Sequence, residues 1–211
     1  MIIKNNSNIT LWLIGINVIF FMLVLILSLI FGEQIFSYIA FKPSDFIQGK
    51  YLWTIITSMF MHSGVGHLFV NMFSLMFLGA FVERLIGSKR FLGIYFASGI
   101  IAGLFYVLFA AALGGMDIPA VGASGAIFGV AGMLVILTPK MPVYILFIPV
   151  AMPMWFGVIL MLALMWVLSI TINLPIGNAA HLGGLLTGII YALYLRNKYK
   201  RKARIIARFY S

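Results

Sequence analysis

Six apolar runs, at about residues 11–31, 65–82, 91–113, 122–138, 146–170 and 178–195, divide the chain, and every charged residue falls outside them. Each run is near the ~17–25 residues that a helix rising ~1.5 Å per residue needs to cross bilayer hydrocarbon. Backbone groups in hydrocarbon must satisfy one another, which leaves helices or closed barrels, and runs of this length are helical. The pattern predicts an all-α polytopic membrane protein, a bundle of six transmembrane helices. A chain with 64% hydrophobic and 9% charged residues cannot hide that much apolar surface in a soluble core. The first run is too long for a signal-peptide core and lacks a small-residue cleavage site, so it reads as a retained helix. The whole of 1–211 reads as one membrane-embedded domain, with a core at about 50–195 and a basic tail at 196–211.

Charge sets an expected orientation. By loop parity Lys4, Arg84, Lys89, Arg90, Lys140 and the tail from Arg196 to Arg208 share one side, leaving Lys42 and Lys50 on the other. The excess of Lys and Arg then places both termini in the cytoplasm of a multi-pass cell-membrane protein. This distribution accounts for the net charge of +10 without nucleic acid as a partner. The stretch from Lys198 to Arg204 reads as an anchor on anionic lipid. Two halves with matched motifs are absent, against an inverted-repeat transporter.

With no cysteine in the chain, neither a thiolate nucleophile nor a sulfur metal site is available. No acidic residue lies deep in a run, which argues against a proton relay, a cation path or a carboxylate-held metal. No cofactor is expected. The chemistry therefore falls to the few polar groups inside the runs: Asn17, His67, Asn71, Ser124 and His181. Ser124 precedes Lys140 by 16 residues, His181 precedes Arg196 by 15, and His67 precedes Arg84 by 17. At ~1.5 Å per residue all three lie roughly 22–26 Å from the cytoplasmic edge, about one turn below the exoplasmic surface.

Taken singly, these groups read as packing or interhelical hydrogen bonding. Their common plane, and a lateral signal, change the reading. Gly125 and Gly129 form a small-residue stripe on the fourth helix, and Ala180, Gly184 and Gly188 form one on the sixth, which lets the two helices approach closely. His181 shares the face of Gly184 and Gly188, so their contact delivers its imidazole to Ser124. A serine hydroxyl becomes a nucleophile when a neighbouring base takes its proton. With no carboxylate in reach, Ser124 and His181 form a dyad of nucleophile and general base. His67 and Asn71, at i and i+4 on one helix face, are candidates for stabilising an oxyanion together with the Ser124 backbone N–H. His62 reads as a loop anchor and Asn17 as packing.

These motifs resemble the rhomboid family of intramembrane serine proteases in its basic six-helix prokaryotic form. The resemblance covers about residues 50–190. It rests on His62, His67 and Asn71 in His-Ser-Gly-Val-Gly-His-Leu-Phe-Val-Asn, on Glu83-Arg84 followed by Gly87, on Gly122-Ala-Ser124-Gly125, and on Ala180-His181-Leu-Gly-Gly184 with Gly188. It implies the same roles for Ser124, His181, His67 and Asn71, and a first loop lying partly in the outer leaflet. Two departures are visible. Trp53-Thr54 stands where family members commonly carry Trp-Arg, and Phe128 stands where some carry a tyrosine that stacks on the histidine. The expected activity is hydrolysis of transmembrane segments of other membrane proteins near their exoplasmic end; Pro149 and Pro153 near the cytoplasmic base of the fifth helix, and the short uncharged link at 171–177, point to that helix as a lateral gate and to the link as its cap. The alternative is a non-catalytic relative that binds client transmembrane helices; a channel would want a polar path to the cytoplasm, which the single plane does not provide.

Overall fold

The computed structural model describes residues 9–145, 148–171 and 177–207. Helix α1 (Ile9–Phe31) leads into a 3-10 turn at Glu33–Tyr38 and two short helices, α2 (Pro43–Ile47) and α3 (Thr54–Thr57). A long rod follows: α4 (Val65–Ser74), a π-helical turn at Leu75–Gly79 and α5 (Ala80–Ile86). Then come α6 (Ser88–Leu113), α7 (Ser124–Leu137), the strands β1 (Pro142–Ile145) and β2 (Ile148–Pro153), α8 (Met154–Thr171) and α9 (Asn178–Ala207). Among the described residues five helices are long and apolar enough to cross a membrane: α1, the Val65–Ile86 rod, α6, α8 and α9 over Asn178–Tyr199.

Helix α7 differs from the expected fourth span. It has 14 residues, about 21 Å, against a hydrocarbon layer of ~30 Å. Its ends are fixed locally. Gly122 before it has φ +118°, a conformation that side chains resist, and Thr138 is disfavoured from helix by the following Pro139. A short helix is tolerable here because it does not face lipid: every residue from Gly125 to Leu134 is buried. Small residues bring its neighbours close. A side chain on Gly129 would meet Ser98 of α6, and one on Gly132 would meet the Leu185 carbonyl of α9. Thus α7 is the buried centre, wedged between α6 and α9.

The expected fifth span, 146–170, also needs correction. Residues 146 and 147 lie outside the described part, and 148–153 form a strand, so the helix begins at Met154. Strand β1 pairs antiparallel with β2, Pro142 opposite Pro153 and Val143 opposite Met152. Pro149 and Pro153 therefore belong to the hairpin, where a missing N–H is tolerated at an open edge, and not to the base of the helix. The hairpin packs on the start of α8 at Gly157, where a Cβ would lie 2.7 Å from a Val143 methyl.

The opposite end of the rod carries the one fully buried carboxylate among the described residues. Glu83 accepts the Ile9 N–H at 3.1 Å, the Thr10 N–H at 2.9 Å, the Thr10 hydroxyl at 2.6 Å and the Ser88 hydroxyl at 2.8 Å. Backbone N–H groups in the first turn of a helix have no partner within it. Glu83 supplies one to α1 from another helix, and negative charge at a helix N-terminus is favourable besides. The same end is tied by α9, which continues past its apolar part: the Arg90 guanidinium donates to the Tyr199 hydroxyl (3.0 Å) and the Lys202 ammonium to the Arg84 carbonyl (2.7 Å).

Glu83→Ala leaves buried donors without an acceptor and is expected to cost about 2–4 kcal/mol, Glu83→Gln about half of that. Thermal unfolding in detergent micelles measures both, and equal midpoints for Glu83→Ala and the unaltered protein would remove Glu83 as the tie.

Candidate active site

Ser124 is the first residue of α7, His181 lies in the first turn of α9, and His67 in the first turn of α4. Three helix beginnings thus meet at one level. Ser124 Oγ and His181 Nε2 are 2.7 Å apart, a hydrogen bond of ordinary O–H to N length. The contact is produced by the glycine faces. A Cβ on Gly184 would collide with the Gly125 carbonyl, and one on Gly188 with the Gly129 carbonyl, so α7 and α9 touch backbone to backbone. His181 is buried and its ring stacks on Phe128, with centroids 4.6 Å apart and planes at 24°. That stacking needs only the ring, which Phe128 retains. Its Nδ1 has no protein partner among the described residues, and no carboxylate stands behind the imidazole.

His67 borders the same place. A Cβ built on Gly122 would lie 2.8 Å from His67 Nε2 and 3.8 Å from Ser124 Oγ, so both groups crowd the bare side of that glycine. Asn71 is buried and gives one amide N–H to the His67 carbonyl at 2.8 Å, an i to i−4 bond that leaves its second N–H uncommitted by this contact. The Ser124 N–H, at the start of α7, is one of the helix's unpaired donors. His62 sits behind: its Nδ1 is 3.2 Å from the Phe60 carbonyl and its ring meets His67 edge to face at 5.1 Å. Burial, with His67 adding to it, pushes the His62 imidazole down to about 4, so it stays neutral.

Backbone pairing that sequence reading missed holds the approach to Ser124. Phe41 and Ala120 exchange two hydrogen bonds (3.0 and 2.8 Å), and the Gly122 N–H donates to the Ser58 carbonyl at 2.8 Å. The first loop is thus stitched to the segment leading into Ser124. An exposed pair reinforces it, Lys42 lying 3.1 Å from Asp117, whose carboxyl the Ser44 hydroxyl and then Lys42 hold below the usual range. Thr54, the position of the expected arginine, is buried and donates its hydroxyl to the Tyr51 carbonyl at 2.7 Å, while the Trp53 indole donates to the Tyr38 carbonyl at 2.9 Å.

Ser124, His181, His67 and Asn71 all line one groove of about 1530 Å³. Its walls are Phe73, Phe77 and Phe81 on one side and Val158, Met161 and Met165 of α8 on the other, with Pro142 and Val143 of the hairpin at the far end. Helix α8 is fully buried only at Met154, Gly157 and Val158 near its start, and beyond them it touches the core through the partly buried Met161, Leu162 and Met165.

Residues 49–198 match the Rhomboid domain, and the chain belongs to the rhomboid family. It is 38% identical over 102 residues to the Rhomboid protease GluP of Bacillus subtilis (48% of this chain, 19% of that protein). It is 31% identical over 163 residues to the mitochondrial Rhomboid protein 1 of Saccharomyces cerevisiae (75% of this chain, 45% of that protein). It is 42% identical over 83 residues to the Inactive RHOMBOID-like protein 8 of Arabidopsis thaliana (39% of this chain, 22% of that protein). The chain thus spans less than half the length of each of these relatives, and proteins both named as protease and named as inactive are among them.

Gly184→Ala is expected to force α7 and α9 apart, at about 1–3 kcal/mol. Gly66→Ala, where a Cβ meets nothing within 4 Å, serves as the control. Unfolding midpoints in micelles separate the two, and an unshifted Gly184→Ala would mean that the close approach is not holding the dyad.

Proposed function

We propose that this protein is an intramembrane serine endopeptidase that cleaves transmembrane segments of other membrane proteins near their exoplasmic end. The observation that carries the reading is the 2.7 Å contact between Ser124 Oγ and His181 Nε2 at the end of a lateral groove. His181 Nε2 takes the hydroxyl proton as Ser124 Oγ attacks the scissile carbonyl. The resulting oxyanion receives hydrogen bonds from the Ser124 N–H, His67 Nε2–H and the Asn71 amide. His181 then returns the proton to the departing amine, leaving an acyl-enzyme on Ser124 that water hydrolyses by the same steps. His181 acts without an orienting carboxylate, and the Phe128 ring fixes its plane instead.

In a six-span bundle with both termini cytoplasmic, the shortness of α7 sets the depth of the chemistry. A helix of about 21 Å starting from the cytoplasmic face of a ~30 Å layer ends about 10 Å below the opposite surface. Substrate enters between the α4–α5 rod and α8 and must unwind locally, because the carbonyls of an intact helix are already bonded. Helix-destabilising residues near its exoplasmic end are favoured for that reason. The hinge lies where the hairpin packs on Gly157, in place of the prolines expected within the helix. The cap expected at 171–177 falls, for 172–176, outside the described residues.

The inactive relative keeps a second reading in play, a helix-binding protein without catalysis. Ser124→Ala and His181→Ala, assayed in vesicles on a model transmembrane substrate, decide between them. Both variants are expected to lose cleavage by at least about 10³-fold and to bind substrate as before; cleavage retained in either would overturn the protease assignment. The absence of cysteine makes the gate directly testable. Cysteines at Phe77 and Met161 joined by a bifunctional thiol reagent are expected to stop cleavage of a membrane substrate, and reduction of a cleavable linker to restore it.

A further inference from the structure

His67 stabilises an oxyanion only in the tautomer that carries its proton on Nε2, the nitrogen facing Gly122 and Ser124. Nothing in the ring itself chooses that form. Two contacts at the other nitrogen do. The Ser63 backbone N–H points at His67 Nδ1 at 3.4 Å, and the Ser63 hydroxyl lies 3.0 Å from the same atom. A backbone N–H has no lone pair and can only donate, so Nδ1 must accept. The hydroxyl, which can turn either way, then donates to that nitrogen as well. The neighbouring His62 is fixed in the opposite sense. Its Nδ1 faces the Phe60 carbonyl, which only accepts, so the His62 proton sits on Nδ1.

We propose that Ser63 is a positioning residue for the oxyanion-stabilising step: its N–H and hydroxyl hold His67 as the Nε2–H tautomer and aim that hydrogen at the site. The placement is possible because Ser63 stands just outside the N-terminus of α4, one residue before its cap Gly64 and four before His67, within reach of the first turn. The proposal rests on the proteolytic reading for its kinetic consequence but not for the tautomer itself, so the two are separable.

The test has a spectroscopic arm and a kinetic arm. The ring-nitrogen shifts of 15N-histidine-labelled protein in micelles, with His67 assigned by its loss in His67→Ala, are expected to show a bare Nδ1 and a protonated Nε2. In Ser63→Ala, which keeps the N–H but loses the hydroxyl, the Nδ1–H form is expected to appear. kcat should then fall about 2- to 10-fold, the worth of one ordinary hydrogen bond, with KM unchanged. Ser63→Thr is expected to restore both. Ser63→Asp places an acceptor at Nδ1 and, assayed at alkaline pH where the ring carries a single proton, draws that proton there and is expected to lower kcat to the level of His67→Ala. A proton on His67 Nδ1 in the unaltered protein would overturn the proposal, as would wild-type kcat in both Ser63→Ala and Ser63→Asp. An unaltered protein that showed the Nε2–H tautomer but cleaved nothing would sink the proteolytic reading and leave the tautomer assignment standing.

Discussion

Gly184 and Gly188 present bare Cα faces to the carbonyls of Gly125 and Gly129, Gly132 does the same to the carbonyl of Leu185, and these contacts set the separation of α7 and α9. No hydrophobic force joins helices inside lipid, so the gain comes from dispersion over two backbones in contact. The geometry of the dyad follows from it. Ser124 stands just before Gly125, and His181 three residues before Gly184. A 2.7 Å hydrogen bond between side chains as short as these requires helix axes closer than ordinary side chains permit. The rest of the bundle supports that contact from behind, with α6 closing on α7 at Ser98 and Ala102.

The same contact was the most legible part of the sequence, because glycine at a four-residue spacing has few reasons to recur in an apolar helix except to be approached. The shared level of Ser124, His181 and His67 was legible too, since helical rise converts residue number into depth. Other features left no such trace. The hairpin was missed and its second strand read as the start of a helix because the chain carries no charge from Met141 to Trp166, and in an apolar stretch hydropathy cannot tell strand from helix. Its signal lay in Pro142, Pro149 and Pro153 among the β-branched Val143, Ile145, Ile148 and Val150, a composition that suits an open-edged ribbon. The short reach of α7 was hidden for a related reason. Its apolar run extends beyond its hydrogen bonds, and only Gly122 and Pro139 mark where the helix stops. Pairings made by backbone alone, Phe41 with Ala120 and Gly122 with Ser58, have no side-chain signature at all.

Helix α8 and the α4–α5 rod show how one bundle combines a rigid site with an open side. Ser124 and His181 are placed on helices whose interfaces are backbone contacts, which do not slide without collision. The groove walls are built from Phe side chains of the rod and from Val and Met side chains of α8, whose fully buried residues are confined to its first five. Methionine, unbranched and flexible, can repack around different shapes. Rigidity and adaptability are thus assigned to different pairs of helices.

The carboxylate of Glu83 has a consequence for assembly. It completes the first turn of α1, yet it lies 74 residues further along the chain than Ile9, whose N–H it accepts. At synthesis rates of ~5–20 residues per second, α1 waits roughly 4–15 s before its acceptor exists. During that interval the N–H groups at its start depend on interfacial water. Arrival of Glu83 then replaces that water with an anion, latching α1 only after all but the last three residues of the α4–α5 rod have been made. The order in which the helices become fixed is therefore written into the position of one acidic residue, and differs from the order in which they emerge.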